Sequence, residues 1–178
     1  MTAPDGDAGT IGIVLFRTNF TNYHGVADFL LFVRGNIVIV DEKESVSAHS
    51  SFGGGGGSWP CDGEIDIMEV IGNQENMLHG TVHYVDAYNS YDFQGGTKAI
   101  SAGKYSDDFH VYSVEWTPEK ISWLVDDVVY DSVDIEADMK EFLREHYLIL
   151  NVAVGGNWPG NPDESTVFPG RMSVDYVR

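Results

Sequence analysis

Short runs of β-branched and aromatic residues, broken by Gly, Pro, Asn and Asp, recur along the whole chain. Runs of this length and composition predict strands at Ile11–Phe16, Phe29–Val33, Ile37–Val40, Glu64–Ile71, Leu78–Tyr84, Phe109–Trp116, Lys120–Asp126, Val128–Asp131, Tyr147–Val154 and Met172–Val177. Thr117-Pro118-Glu119 reads as a tight turn, because Pro sets φ at its second position. Asp126-Asp127 is placed to close the next hairpin. Only Ile135–His146 has a helical pattern, with Met139, Phe142 and Leu143 on one stripe. Many short strands between turn residues predict an all-β antiparallel sandwich or barrel. The run Gly53–Gly57 fixes no backbone geometry and reads as a flexible connection between residues 1–58 and 59–178. No Lys-Ser/Thr follows it, so it is not a phosphate loop.

Charge narrows the range of partners. The 178 residues carry 10 Lys+Arg against 28 Asp+Glu, a formal net charge of −18. Nucleic-acid binding is built on clustered cations, so that balance excludes it, and it disfavours anionic membrane surfaces equally. The acid is concentrated after the glycines: residues 1–58 hold 6 acidic and 3 basic side chains, and residues 59–178 hold 22 and 7. Cys61 is the only cysteine, which rules out an intrachain disulfide and a Cys-based zinc site. No apolar run approaches the roughly 20 residues that span a bilayer. Residues 1–10 are rich in Asp and Gly and lack the basic-then-apolar pattern of a signal peptide.

The most informative segment is Gly63–Val70, where Glu64, Asp66 and Glu69 sit inside a run of strand-forming residues. Charge is costly in such a run. Strict alternation would put Glu64 and Asp66 on one face and Glu69 on the other, with Ile65 and Ile67. A β-bulge near Met68 would add one residue and return Glu69 to the face of Glu64. The two glutamates would then lie four strand steps apart, about 13 Å between Cα atoms. Side chains leaning together would close that gap to the roughly 5 Å carboxyl separation of a retaining glycosidase. Asp66, between them, would hydrogen-bond one glutamate and hold their ionisation states apart. The plainer reading of the same segment is an acidic, solvated strand face.

With these residues in place, the sequence resembles glycoside hydrolase family 16, in particular its laminarinase-like endo-β-1,3-glucanases. The resemblance runs from Trp59 to Arg178, through Trp59-Pro60, Gly63–Glu69, His79–Tyr84, Phe109–Pro118, Ile121–Asp126, Leu150–Gly160, Phe168-Pro169 and Val174–Arg178. The family signature, Glu-x-Asp-x-x-Glu on a bulged strand, falls on Glu64, Asp66 and Glu69. The resemblance implies that Glu64 is the nucleophile, Glu69 the general acid/base and Asp66 an assisting carboxylate. It also implies a jelly-roll sandwich with the polysaccharide in a concave cleft, and hydrolysis of internal β-1,3 bonds with no metal or other cofactor in the chemistry. A monomer acting on an extracellular β-glucan is the corresponding expectation for partner and location. The alternative is a non-catalytic β-glucan-binding module, a shortened and inactive relative.

Further positions follow with less specificity. His83 matches the family's active-site histidine, whereas His79 reads equally well as a structural residue. Their four-residue spacing would suggest zinc on a helix, but this segment reads as strand. Among the tryptophans, the resemblance makes Trp59 and Trp116 cleft candidates, Trp158 sits in a Gly/Pro-rich loop suited to the rim, and Trp123 is assigned to the core. Asn151 interrupts an apolar strand and needs partners if buried, either structural ones or the substrate. Asp175 matches a position at which many family members hold a structural calcium, the other ligands coming from near the start of the domain. Family domains are longer, and several of their strands before the carboxylate strand have no evident counterpart here. The chain therefore reads as a fragment, as one that rebuilds those strands from residues 11–40, or as a shortened relative that binds without turnover; the first is favoured.

Overall fold

The computed structural model describes residues 10–19, 25–33, 59–144, 146–164, 166, 168 and 171–177. Among these residues ten strands form in chain order: β1 (Thr10–Asn19), β2 (Gly25–Val33), β3 (Glu64–Ile71), β4 (Met77–Val85), β5 (Tyr91–Ala99), β6 (Phe109–Trp116), β7 (Lys120–Val125), β8 (Val128–Asp134), β9 (His146–Val154) and β10 (Arg171–Val177). They make two five-stranded sheets, ordered β10-β1-β6-β7-β8 and β5-β4-β3-β2-β9. Every pairing is antiparallel. This is the sandwich that the strand pattern predicts. The expected strand Ile37–Val40 and the glycine run lie outside the described residues.

Residues before the glycine run take interior positions in both sheets. β1 lies between β10 and β6, and β2 lies between β3 and β9. The turn at Thr117–Glu119 forms as expected: the Thr117 amide donates to the Lys120 carbonyl at 2.8 Å, and its hydroxyl accepts from the Glu119 and Lys120 amides. Asp126 and Asp127 adopt φ of 50° and 63°, the left-handed pair of a type I′ hairpin turn, and join β7 to β8.

Two expectations need correction. The helical segment is reduced to a 3₁₀ turn, Lys140–Leu143. Met139 and Phe142 are buried in the core, but Leu143 is half exposed, so the three do not share a buried stripe. The apolar content is real, but a short helix relies on packing a continuous apolar face, and here only Met139 and Phe142 of the expected stripe are buried. The second correction is β5, which the hydrophobic pattern does not mark. It is an edge strand whose residues are mostly exposed, so Tyr91–Ala99 lacks the half-buried alternation that identifies a strand.

Between the sheets, Ile65, Ile67, Met68 and Val70 of β3 pack with Leu78 and Val82 of β4 and with Tyr112, Val114, Trp116, Ile121 and Trp123 of the opposite sheet. Trp123 fills the core as expected, and its indole N–H donates to the Asp66 carbonyl at 2.8 Å. Gly80 makes room for that indole: a Cβ there would lie 2.5 Å from Trp123 Cδ1. Among the described residues no helix is long and apolar enough to cross a membrane.

His146 closes one end of the core, edge-on to Trp116 at 4.7 Å and stacked on Phe142 at 6.1 Å. Its burial holds the imidazole at about 4, well below its ordinary value. A depressed histidine contributes stability that is complete above the unfolded value near 6.5 and is lost as pH falls through 4. Urea denaturation between pH 7 and pH 4 should show a loss of roughly 3 kcal/mol from this group. His146→Leu should remove that part of the pH dependence; parallel losses in the two proteins would contradict the assignment.

Candidate active site

The site is built on β3 and its register with β4. Glu64 pairs with His83, Asp66 with Thr81, and Glu69 with His79, so between the last two pairs Ile67 and Met68 of β3 stand against Gly80 alone on β4. On the other side Met68 pairs with Phe29 and Asp66 with Leu30, which leaves Ile67 as the extra residue. A bulge of this kind lets two successive side chains, Ile67 and Met68, face the core. Glu69 is thereby returned to the face of Glu64 and Asp66. All three carboxylates share that face with His79, Thr81 and His83, at positions four residues apart across β4, about 13 Å.

Glu64 is almost buried, and Asp66 is completely so. The Trp59 indole N–H donates to Glu64 Oε2. Burial pushes the Glu64 carboxyl above its usual range, and hydrogen bonds from Trp59 and Asp66 oppose that shift by favouring its ionised form. Asp66 Oδ2 lies 3.0 Å from His83 Nε2, and His83 Nδ1 lies 2.8 Å from the Tyr91 hydroxyl. Burial depresses His83 to about 4, so it is neutral at neutral pH.

Glu69 opens onto a cleft of about 380 Å³ lined also by His79, Thr81, His83, Tyr91, Phe93, Thr97 and Trp158. At one end Trp59, Tyr91 and Phe93, each about half exposed, form an aromatic wall; the Trp59 and Tyr91 rings are 5.2 Å apart, and Tyr91 stacks on Phe93 at 6.1 Å. At the other end the half-exposed Trp158 meets the His79 ring edge-on at 4.9 Å. His79 is pushed below its ordinary pKa by burial, and its Nε2 has no hydrogen-bond partner among the described residues. Exposed aromatic faces suit the apolar faces of pyranose rings.

The structure therefore brings Glu69, His83 and Trp158 to the cleft lining, with Asp66 joined to it through His83, and Glu64 beside them bonded to Trp59, whose ring packs on Tyr91. Asn151 on β9 pairs with Asp28, which pairs with Glu69, so it shares the carboxylate row two strands away. Trp116 is a correction: it is 0% exposed inside the sandwich and cannot reach a ligand in the cleft. Its neighbours in the strand explain why, since Tyr112 and Val114 point into the same core at the alternating positions. Asp175, the expected calcium ligand, lies exposed on the edge strand β10 and is not gathered with other candidate ligands among the described residues. Ligand atoms of Glu64, Asp66 and His83 do lie within 4.8 Å of one another, but each is engaged in the hydrogen bonds just described. Sequence reasoning passes over Tyr91 and Phe93 together with their strand; alternating aromatics at i and i+2 beside a turn are the signal that could have found them.

A two-sheet sandwich with a bulged strand presenting paired glutamates in an aromatic-lined cleft belongs to the class of jelly-roll glycoside hydrolases. The sequence matches the profile of Glycosyl hydrolases family 16 over residues 45–178, and the chain belongs to that family. It is 43% identical over 135 residues to the β-glucanase of Rhodothermus marinus, covering 70% of this chain and 46% of that protein. The structure of an endo-β-1,3-glucanase from Pyrococcus furiosus is similar with a TM-score of 0.69 at 31% identity, covering 97% of this chain and 61% of that one. The laminarinase catalytic domain from Thermotoga maritima gives 0.70 at 30% identity, covering 97% and 63%. The chain thus spans just under half of the β-glucanase's length and less than two thirds of these two solved structures.

The Trp59 bond makes a prediction independent of turnover. Trp59→Phe keeps an aromatic ring but removes the N–H that favours ionised Glu64. A ¹³C-carboxyl titration should show the Glu64 midpoint moved to higher pH, and an unmoved midpoint would contradict the role of the indole.

Proposed function

We propose that this chain hydrolyses internal β-1,3 bonds of laminarin-type β-glucans by a retaining double displacement. The observation that carries the reading is the bulge that turns Glu64 and Glu69 to one face. In the first step the Glu64 carboxylate attacks the anomeric carbon of the sugar bound above β3, while Glu69 donates a proton to the departing glycosidic oxygen. A glycosyl ester on Glu64 and a departing glucan fragment with a free 3-hydroxyl at its new non-reducing end result; the new reducing end is freed only in the second step. In the second step Glu69, now ionised, takes a proton from water; the water oxygen attacks the anomeric carbon and releases Glu64. Two inversions leave the β configuration unchanged.

The environments of the carboxyls support this division of labour. Glu64 has to be ionised to attack, and hydrogen bonds from Trp59 and Asp66 favour its charged form against the cost of burial. Two carboxyls as close as Asp66 and Glu64 disfavour both being charged at once, so a proton carried by Asp66 in their hydrogen bond would leave Glu64 as the ionised partner. Glu69 opens to the cleft, where a leaving group and then a water can reach it. Trp59 and Trp158 would stack against sugars on either side of the scissile bond, and His83 would hold Asp66 in place. Asn151, in the row of Glu69, is positioned to hydrogen-bond a hydroxyl of the bound chain. The β-1,3 preference rests on the glucanases named above, and export to meet a polysaccharide outside the cell belongs to the same reading.

Reducing-end release from laminarin tests the proposal. Glu64→Gln and Glu69→Gln should each lower kcat by about 10³-fold or more. NMR of the first products should show the β anomer before mutarotation. Tight glucan binding with no hydrolysis would favour a binding module instead, and turnover surviving Glu64→Gln would overturn the mechanism.

A further inference from the structure

Tyr91 lies on the edge strand β5, outside every motif that identified the site, yet its hydroxyl makes one of the best-defined bonds in the cleft. It is 2.8 Å from His83 Nδ1, and the two rings are nearly parallel, 12° apart. The other imidazole nitrogen, Nε2, is 3.0 Å from Asp66 Oδ2. Asp66 in turn hydrogen-bonds Glu64. A chain of contacts thus leads from an edge-strand phenol to the proposed nucleophile.

A neutral imidazole has one donor and one acceptor, so this chain has two arrangements. In the first, Tyr91 O–H donates to Nδ1, Nε2–H donates to Asp66, and the proton on Asp66 is directed to Glu64. In the second, Nδ1–H donates to the Tyr91 oxygen, Nε2 accepts from Asp66, and that proton is diverted from Glu64. The charges around the ring select between them. Glu64 and Asp66 face it from β3, Glu69 lies across the cleft, and Tyr91 and Phe93 face it from β5 with Trp59 beside them. All the formal charges in that shell are carboxylates, which draw a donor toward Asp66 and keep the phenol protonated. Burial and those same carboxylates hold the Tyr91 hydroxyl above its ordinary pKa, so its proton stays available.

We propose that Tyr91 is a positioning residue that fixes the Nε2–H tautomer of His83, so that Asp66 gives its hydrogen bond to Glu64. The inference rests on the glycosidase reading for its kinetic consequence, but its structural part stands without it. A phenol on a solvent-facing edge strand then sets the state of a nucleophile two strands away. Tyr91 also contributes its ring to the cleft wall, so the two roles have to be separated. Tyr91→Phe removes the hydroxyl and keeps the ring; Tyr91→Ala removes both.

The test combines ¹⁵N NMR of the histidine side chains with laminarin kinetics on the full chain. In the unsubstituted protein His83 should show protonated Nε2 and unprotonated Nδ1 at pH 7. Tyr91→Phe should give a mixture of tautomers, a kcat lower by about tenfold, and a KM within about twofold. Tyr91→Ala should in addition raise KM. An unchanged tautomer in Tyr91→Phe overturns the proposal, as does a loss confined to KM, which would mark a sugar contact only. If the unsubstituted chain shows no turnover, the glycosidase reading fails, and the tautomer comparison alone decides the role of Tyr91.

Discussion

The whole site depends on one extra residue in β3. A regular strand would send Glu69 into the layer occupied by Ile65 and Ile67, where an ionised carboxylate without partners costs several kcal/mol or is forced to stay protonated. The bulge at Ile67 moves that charge to the cleft and buries two adjacent apolar side chains in its place. The core accepts both because Met68 and Ile67 pack against the opposite sheet. Trp123 ties the same point from across the sandwich through its bond to the Asp66 carbonyl, and Gly80 leaves the space its indole occupies. Stability and chemistry therefore meet at one backbone irregularity.

From the bulge outward, the cleft is organised by desolvation. Glu64, Asp66 and His83 are taken from water by the aromatic wall of Trp59, Tyr91 and Phe93, and each is compensated by a neighbour rather than by solvent. Low local polarity strengthens these bonds and makes the loss of any one costly. The histidine is neutral for the same reason, which turns it from a counter-ion into a hydrogen-bond relay. Glu69 differs in facing the open cleft. Two carboxyls on one strand thus acquire different surroundings, the condition under which they can take different parts in one reaction.

Much of this is legible in the residues. The strand Glu64–Ile71 has the limits that its composition predicts, and the need for a bulge follows from three acids in an otherwise buried run. Hairpin turns at Thr117–Glu119 and Asp126-Asp127 are readable because Pro and Asp have specific backbone preferences. Other features are not, for physical reasons. β5 is exposed on an edge, so burial never constrains its composition, and Tyr91 and Phe93 go unmarked with it. Trp116 and Trp59 are the same residue type, and only the three-dimensional layers show that one is sealed in the core while the other edges the cleft. The helical stripe at Met139 and Phe142 is real as apolar burial but spans a single 3₁₀ turn. The pairing of β1 and β2 into the sheet interiors depends on long-range partners that no local pattern specifies.

Covalent trapping is the most direct probe of the arrangement on β3. A β-1,3-linked 2-deoxy-2-fluoro-glucoside with a good leaving group slows deglycosylation and allows the intermediate to be isolated by mass spectrometry of the digested protein. The bulged geometry predicts one sugar adduct, on Glu64, in the peptide that also contains Asp66 and Glu69. An adduct on Glu69 or Asp66, or turnover of the reagent with no adduct at any time, would contradict it.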